Sequence, residues 1–111
     1  MSVEALWTVE FQSVDGWMNG GGIVLESGRA FGGDSQFYYT GKYRVKSDAI
    51  YGSLRIDHYH GDDMTAFGIK AKLVEVTVAA ELNATGDFMG FVRAHQGSTI
   101  GFRMTRRREL P

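Results

Sequence analysis

The sequence predicts an all-β domain in which about eight short antiparallel strands close into a barrel. Apolar and polar residues alternate with period two along most of the chain, which is the pattern of strands with one buried face. The chain has 15 glycines among 111 residues but a single proline, Pro111, so tight turns and bent strands are available without loss of strand N–H groups. Closure removes the exposed edges that an open sheet of this size would leave.

The first strands are expected to follow one another through glycine-rich turns. Trp7, Val9 and Phe11 share one face of the first strand. A loop is expected over 15–20, before a short strand at 22–25. Residues 26–29 predict a hairpin turn, in which Gly28 is free to take positive φ, and a strand at 30–32 follows. A turn at 33–35 then leads to the longest alternating stretch.

The strands at 37–45 and 50–57 predict the clearest hairpin of the chain, with a turn at 46–48. After a loop at 61–64, a strand at 66–73 is expected, and its apolar parity differs from that of the next stretch, 74–82. The stretches 66–73 and 74–82 are therefore expected to form either two strands or one long strand whose parity changes at a bulge. The segment KAKLVEVTVAAELNA also leaves a helix open, although its β-branched residues favour a strand.

The remaining strands are expected at 88–94 and 99–105, after turns at 83–86 and 95–98. The whole chain, 1–111, is expected to form one domain, because two halves would each be too small to bury a core. Residues 103–111 are expected to form a basic strand end and tail. Glycines inside predicted strands indicate bends, bulges or close backbone approach, at Gly32, Gly41, Gly52, Gly68 and Gly90.

Charge and composition exclude several classes of protein. The 12 lysines and arginines nearly balance the 13 aspartates and glutamates, so the net field does not attract nucleic acid, and partner choice depends on local patches. The absence of cysteine excludes disulfides and thiolate metal sites. The start MSVEALWTVEFQ contains neither a signal peptide nor an apolar span, so a soluble cytoplasmic protein without membrane contact is expected.

The segment GGDSQFYYTGKYRVKSDAIYGSLRIDHYH, with GGGIVLESGRAFGGD leading into it, resembles the GrlR-like family. These are small calycin-type (lipocalin-like) barrels named for a negative regulator of bacterial type III secretion. The shared features are an opening strand of the LWTVEF type, the Gly33-Asp34 turn, Tyr39-x-Gly41 and a strand that ends in His58-Tyr59-His60. The resemblance covers the chain up to these histidines and beyond them only as a strand pattern.

The resemblance implies a dimeric, regulatory barrel. The family member that gives the name sequesters a transcriptional activator through an acidic turn. The comparable turn here is Val45-Lys46-Ser47-Asp48-Ala49, in which only Asp48 is acidic and Lys46 has the opposite charge. A homodimer and a transcriptional-regulator partner are therefore implied, with Asp48 as a contact, but without the charge complementarity of that turn. Calycin-type barrels also commonly hold small apolar ligands.

A cavity is expected inside the barrel, with two histidines at its rim. His58 and His60 continue the inward face of the strand at 50–57, where polar groups could orient a ligand. The residues expected to line the cavity are Tyr39, Tyr43, Leu54, Ile56, His58, His60, Phe67 and Phe102.

The spacing of Gly52, His58 and His60 also matches the start of a metal-binding cupin motif. That motif needs a glutamate shortly afterwards, where this chain has Met64 and Thr65, and a third imidazole from a later strand. The sequence therefore favours a non-enzymatic binding or regulatory protein without cofactors or catalytic residues. A small metal-dependent β-barrel enzyme using His58 and His60 is the alternative.

Two further groups of residues are candidate contact sites. Trp17 and Met18, in the expected early loop, could cover the barrel mouth or contact a partner, since clustered large apolar side chains tend to mark a contact site. The four C-terminal arginines, Arg103, Arg106, Arg107 and Arg108, form a basic cluster. A solvated tail that protects a strand edge is favoured over nucleic-acid binding for this cluster.

Overall fold

A computed structural model describes residues 2–13 and 16–111 of the chain. The strands in this part are β1 (Ala5–Ser13), β2 (Gly16–Glu26), β3 (Arg29–Gly33), β4 (Phe37–Lys46), β5 (Ala49–His58), β6 (Leu73–Leu82), β7 (Phe88–Ala94) and β8 (Thr99–Arg108). Each strand is antiparallel to the next, and β8 returns to pair with β1, so the sheet is a closed barrel. The predicted eight-stranded, single-domain, up-and-down barrel is confirmed.

The connections between the antiparallel strands alternate between the two ends of the barrel. The end of β1, the start of β2 and the β3–β4, β5–β6 and β7–β8 connections lie at one end, here termed the mouth. The other turns, the start of β1 and the end of β8 lie at the opposite end. No helix in the described ranges is long and apolar enough to cross a membrane.

Aromatic side chains fill much of the barrel interior. Trp7 and Phe88 are the largest fully buried side chains, and their ring centroids are 5.3 Å apart. The indole Nε1 of Trp7 donates a hydrogen bond to the Val3 carbonyl oxygen at 2.9 Å, so its one polar atom is satisfied. The interior is therefore a packed core more than an open chamber.

Glycines inside the strands permit close contact between neighbouring backbones. An ideal Cβ on Gly32 would lie 2.0 Å from the Gly22 carbonyl oxygen, and one on Gly90 would lie 2.0 Å from the Ala79 carbonyl oxygen. The prediction of close backbone approach is thus confirmed for these glycines. Gly68 differs, because it lies outside the strands with a φ of 78°.

The predicted loop at 15–20 is wrong where the structure describes it, because β2 already begins at Gly16. Residues 14 and 15 lie outside the described ranges. The β1–β2 register shifts by one residue between Thr8 and Glu10, and Gly21 adopts a φ of 80° at this bulge. Its glycine conformation lets the strand continue through a sequence that resembles a loop.

The predicted strand at 66–73 is also wrong. The chain leaves the sheet after His58 and returns at Leu73, and β5 pairs directly with β6. Residues 59–72, here termed the lid, form a small folded excursion with one bridge between Met64 and Lys70. The parity change in the sequence therefore marks the end of the lid, and the following segment is a strand and not a helix.

Candidate functional site

The lid covers the mouth of the barrel. Thr65 is buried, and Ala66 and Phe67 are half-buried against the core. Hydrogen bonds fix the fold of the lid: the Thr65 hydroxyl donates to the Ile69 carbonyl oxygen at 2.7 Å, and Gly68 N donates to the Thr65 carbonyl oxygen at 3.0 Å. These local bonds satisfy backbone groups that a strand would have paired in the sheet, so the segment closes the barrel end.

The β3–β4 turn anchors the lid. Tyr59 N donates to the Gln36 carbonyl oxygen at 2.9 Å, and the Tyr59 hydroxyl donates to the Asp34 carbonyl oxygen. A salt bridge of 3.1 Å between Lys72 and Asp63 closes the base of the lid. The Lys72 ammonium lowers the pKa of the Asp63 carboxyl through this contact. The lid is thus fixed to the barrel at Tyr59, and the salt bridge holds the two sides of the lid together.

The hydroxyl of the buried Tyr39 lies beneath the lid, beside the carboxylate of Asp34. One carboxylate oxygen of Asp34 accepts hydrogen bonds from the backbone N–H groups of Gln36 and Phe37, each at 2.8 Å. The hydroxyl of Tyr39 lies 3.0 Å from the other oxygen and 2.8 Å from the Gly20 carbonyl oxygen. Burial, and then the nearby Asp34 carboxylate, raise the pKa of Tyr39 well above its usual value. This hydroxyl is therefore a proton-bearing donor in the structure.

Small cavities lie along the barrel axis. A cavity of about 80 Å³ lies under the lid, and two of about 40 Å³ lie deeper in the barrel. Pockets for drug-sized ligands have volumes of about 300–1,000 Å³. With the lid in place, these cavities are too small for such a ligand.

Six of the eight predicted cavity residues line these spaces. Phe67 faces the cavity under the lid. Four residues surround the central cavity, namely Tyr39, Leu54, Ile56 and Phe102. Tyr43 lines the cavity towards the opposite end. Strand alternation was sufficient to place five of these side chains inside. Phe67 is the exception, because it reaches the cavity from the lid and not from a strand.

The two histidines do not line the described cavities. His58 ends β5, its ring meets that of Phe37 edge-on at 5.4 Å, and its Nε2 donates to the Gly61 carbonyl oxygen at 2.8 Å. His60 lies beyond the strand and is exposed beside Tyr59. The expected inward placement of His60 is wrong, because β5 ends before it and strand parity no longer applies. Among the described residues, no group of three or more potential ligands is arranged to hold a metal ion.

The predicted partner contacts lie at opposite ends of the barrel. Trp17 is half-buried in β2, and the Arg103 guanidinium lies over its ring at 4.1 Å. Met18 is exposed and borders the cavity under the lid. Asp48 lies in the β4–β5 turn at the end opposite the mouth. These three residues therefore do not form one surface.

The C-terminal arginines belong mainly to the barrel wall. β8 continues to Arg108 and pairs with β1, so the predicted free edge does not exist there. The Arg103 guanidinium Nε donates to Glu10 at 2.8 Å, Arg106 to the Ser2 carbonyl oxygen at 2.8 Å, and Arg107 to the Thr8 hydroxyl at 2.8 Å. The tail is thus limited to residues 109–111, and β1 engages most of the cluster.

The structure adds a surface that the sequence analysis missed. Large apolar side chains are exposed on the lid and on the strand ends around it, and we term them the apolar rim: Met18, Tyr38, Tyr59, Met64, Ile69 and Leu73. The rings of Tyr38 and Tyr59 are 6.0 Å apart, and Met18 and Met64 border the same cavity. Alternation along the strand predicted at 37–45 places Tyr38 on the face opposite Tyr39. The same pattern puts Ile69 and Leu73 with Phe67 on the apolar face of the strand predicted at 66–73, so it does not indicate that they are exposed.

Comparison of the chain with protein-family models and with curated proteins found no significant match. The geometry of the mouth and of the outer wall is therefore the basis for assigning a function.

Proposed function

We propose that the protein is a non-enzymatic binding protein of the GrlR-like type, which regulates another protein by contact through the apolar rim. The observation that carries this proposal is the exposure of six large apolar side chains around one closed barrel end. Clustered exposed apolar residues tend to mark contact sites.

The composition of the rim suits a protein partner. Tyrosine and methionine are enriched in protein interfaces, and methionine adapts its shape to different partners. Hydrogen bonds already hold the lid in one conformation, so little conformational entropy would be lost when a partner binds it. We expect the partner to be a transcriptional regulator, in line with the family resemblance, and the site of action to be the cytoplasm.

The test uses any transcriptional regulator that is found to be encoded beside the gene for this protein. Each is purified and its binding to the immobilised barrel is measured by biolayer interferometry. Replacing Ile69 and Leu73 together by serine should weaken the binding of the true partner about tenfold or more, since interface anchors are few and strong. Leu6→Ser is the control, because Leu6 is comparably exposed on β1, away from the mouth. Equal binding by the rim variant would contradict the proposal.

A homodimer is the second expectation from the resemblance. Sedimentation velocity at micromolar concentration should show a dimer. A protein that remains monomeric at these concentrations would contradict the expected homodimer. It would not affect the proposal that the apolar rim binds a different protein.

A small apolar ligand under the lid is a second candidate function, which the apolar lining of the cavities supports. Phe67→Ala removes the aromatic plug and should enlarge the cavity, so that the neutral fluorophore N-phenyl-1-naphthylamine binds with enhanced fluorescence. Phe31→Ala, on the outer face of β3, is the control and should not change the signal. If the two variants gave equal signals, this candidate would be wrong.

Metal analysis of protein purified without a histidine tag distinguishes the non-enzymatic proposal from the alternative, a metal-dependent enzyme that uses His58 and His60. Stoichiometric metal that is lost when His58 and His60 are both replaced by alanine would overturn the non-enzymatic proposal.

A further inference from the structure

An open groove crosses the outer face of β4–β7, separate from the apolar rim. It consists of two adjoining depressions of about 840 and 720 Å³. Both depressions are bordered by Lys42, Ser53, Thr77 and Arg93. We term this surface the wall groove.

An aromatic row runs across the wall groove. Arg44 pairs with Tyr51, Tyr51 with Ala79, and Ala79 with Phe91, on four successive strands. Phe91 is 63% exposed, the highest value among the large apolar side chains of the described residues, and Tyr51 is 37% exposed. The two rings are on strands about 10 Å apart, with only the methyl group of Ala79 between them. This arrangement leaves a gap with aromatic walls in which planar groups could stack.

A row of cations and hydroxyls runs beside the aromatic row. Lys42 pairs with Ser53, Ser53 with Thr77, and Thr77 with Arg93. Each member is two residues along its strand from a member of the aromatic row, so the rows are about 7 Å apart. Ammonium, guanidinium and hydroxyl groups are the side chains that most often contact phosphates. The second row therefore presents phosphate-binding groups next to a surface for stacking.

The wall groove carries a local positive charge on a protein whose net charge is −1. Within the described ranges, Lys42, Arg44 and Arg93 form no salt bridge. The Arg44 guanidinium lies 5.4 Å from the Tyr51 ring centroid. Arg55 is neutralised by Asp57 at 3.1 Å, which leaves Glu75 as the carboxylate that borders the groove. Three cations against one carboxylate favour an anionic occupant.

We propose that the wall groove binds single-stranded nucleic acid, with bases stacked on Phe91 and Tyr51 and phosphates placed along Lys42, Arg44 and Arg93. Aromatic platforms beside a positively charged track are the combination by which small β-barrels bind single strands. A duplex keeps its bases stacked on one another, so it cannot use the rings. The span across β4–β7, about 14 Å, fits a short site of about four nucleotides. This activity goes beyond the contact proposed for the mouth.

The test measures fluorescence anisotropy of a fluorescein-labelled oligothymidylate of about twelve nucleotides with the full chain. Saturable binding at low salt is expected, with a Kd of about 1–100 μM, and a slope of log affinity against log salt of about −2 for three contacted phosphates. Phe91→Ala should weaken binding roughly 5- to 100-fold, whereas Phe91→Trp should retain it. Ala79→Leu fills the gap between the rings and should also weaken binding.

Matched controls separate the wall groove from other sites. Phe31→Ala removes an exposed ring that does not border the groove, and Arg107→Ala with Arg108→Ala removes charges from β8. Both controls should bind as the wild type does. Circular dichroism checks that each variant is folded, and the exposed position of Phe91 makes its loss well tolerated.

Several outcomes would overturn the proposal. Binding that is lost in the β8 arginine variant but kept in Phe91→Ala would place the site elsewhere. Equal affinity for an abasic oligonucleotide of the same length would show that the rings stack no base. Competition by poly-L-glutamate at equal charge would assign the groove to acidic proteins, and tighter binding of duplex than of single-stranded DNA would exclude the stacking geometry. A lack of oligonucleotide binding by the wild type at low salt would directly refute the proposed binding site.

Discussion

Asp34 organises the mouth of the barrel through hydrogen bonds to its carboxylate and its backbone. Its side chain accepts two backbone N–H groups of the β3–β4 turn and lies beside the Tyr39 hydroxyl, and its carbonyl oxygen accepts from Tyr59 of the lid. Hydrogen bonds to a carboxylate are stronger than those between neutral groups. Asp34 therefore ties the turn and the interior together through its side chain, and it binds the lid through its backbone carbonyl oxygen.

Replacing Tyr39 by phenylalanine should alter the response of the protein to alkaline pH. The raised pKa means that folded Tyr39 keeps its proton when the unfolded chain begins to lose it near pH 10.0. Stability from this group is therefore complete below that pH and declines as the pH rises above it. Urea unfolding should show the wild type more stable by about 1 kcal/mol at pH 8, with a gap that narrows above pH 10. A gap that is constant or widens would contradict this linkage.

Glu10 and Arg103 form a wall ion pair with the opposite pH dependence. The hydrogen bond from Arg103 lowers the pKa of Glu10 below its usual 4.5, so its contribution is present above that value and is lost as the pH falls through the folded pKa. Glu10→Gln should therefore be less stable than the wild type at neutral pH, and the difference should shrink below about pH 4.5. Thermal melts at several pH values measure this. Glu81→Gln, an exposed carboxylate on β6 with no ion pair among the described residues, is the control.

The strands depend on glycine wherever two backbones meet. A Cβ on Gly90 would lie 2.0 Å from the Ala79 carbonyl oxygen and 2.5 Å from the Ala80 Cα, both on β6. Because these are backbone atoms of a paired strand, relief requires a shift of the sheet.

Gly90→Ala should accordingly lower the free energy of unfolding by about 1–3 kcal/mol. Gly22→Ala is the matched control, since its nearest atom, the Trp7 carbonyl oxygen, is 3.6 Å away. The control should be neutral or stabilising by up to about 1 kcal/mol, because alanine reduces the entropy of the unfolded chain. Urea denaturation distinguishes the two signs, and equal effects would show that close backbone approach is not the cause.

The lid is the element whose local sequence gave a misleading signal. Its alternation of Phe67, Ile69 and Ala71 matches a strand, yet no strand of the barrel is available to pair with it, because β5 pairs with β6 along nearly its whole length. The apolar side chains are then divided: Phe67 packs on the core and Ile69 is exposed on the rim. The segment is therefore not a strand, because strand formation depends on a partner in the sheet as well as on the local alternation.

At the scale of the whole molecule, closure depends on the last residues of β8. Arg106 pairs with Trp7 and Arg108 with Leu6, and these pairs complete the β1–β8 ladder. An open ladder would expose two strand edges, which tend to promote aggregation.

Truncation can test this closure directly. Ending the chain after Met104 removes four paired or wall-contacting residues and should cause aggregation or a large loss of thermal stability. Ending it after Arg108 removes only the tail, 109–111, and should leave the melting temperature unchanged. Size-exclusion chromatography and thermal melts compare the two products. If both truncations behaved alike, closure would not depend on the end of β8.

The sequence by itself determined the architecture and most of the interior. Period-two alternation placed Tyr39, Leu54, Ile56 and Phe102 inside, and glycines within the strands indicated close backbone contact, because both signals are local and each strand carries its own.

Only the tertiary structure determined which residues are exposed and which of them lie together on the surface. The bulge at Gly21 lets strand β2 run through an expected loop, and the end of β5 at His58 leaves His60 outside the strand and exposed. Pairing with β1 incorporates the C-terminal arginines into the wall. The wall groove exists because register aligns Tyr51, Ala79 and Phe91 from three strands. Register and closure join residues far apart in the chain, and alternation along a single strand carries no information about which residues become neighbours across the sheet.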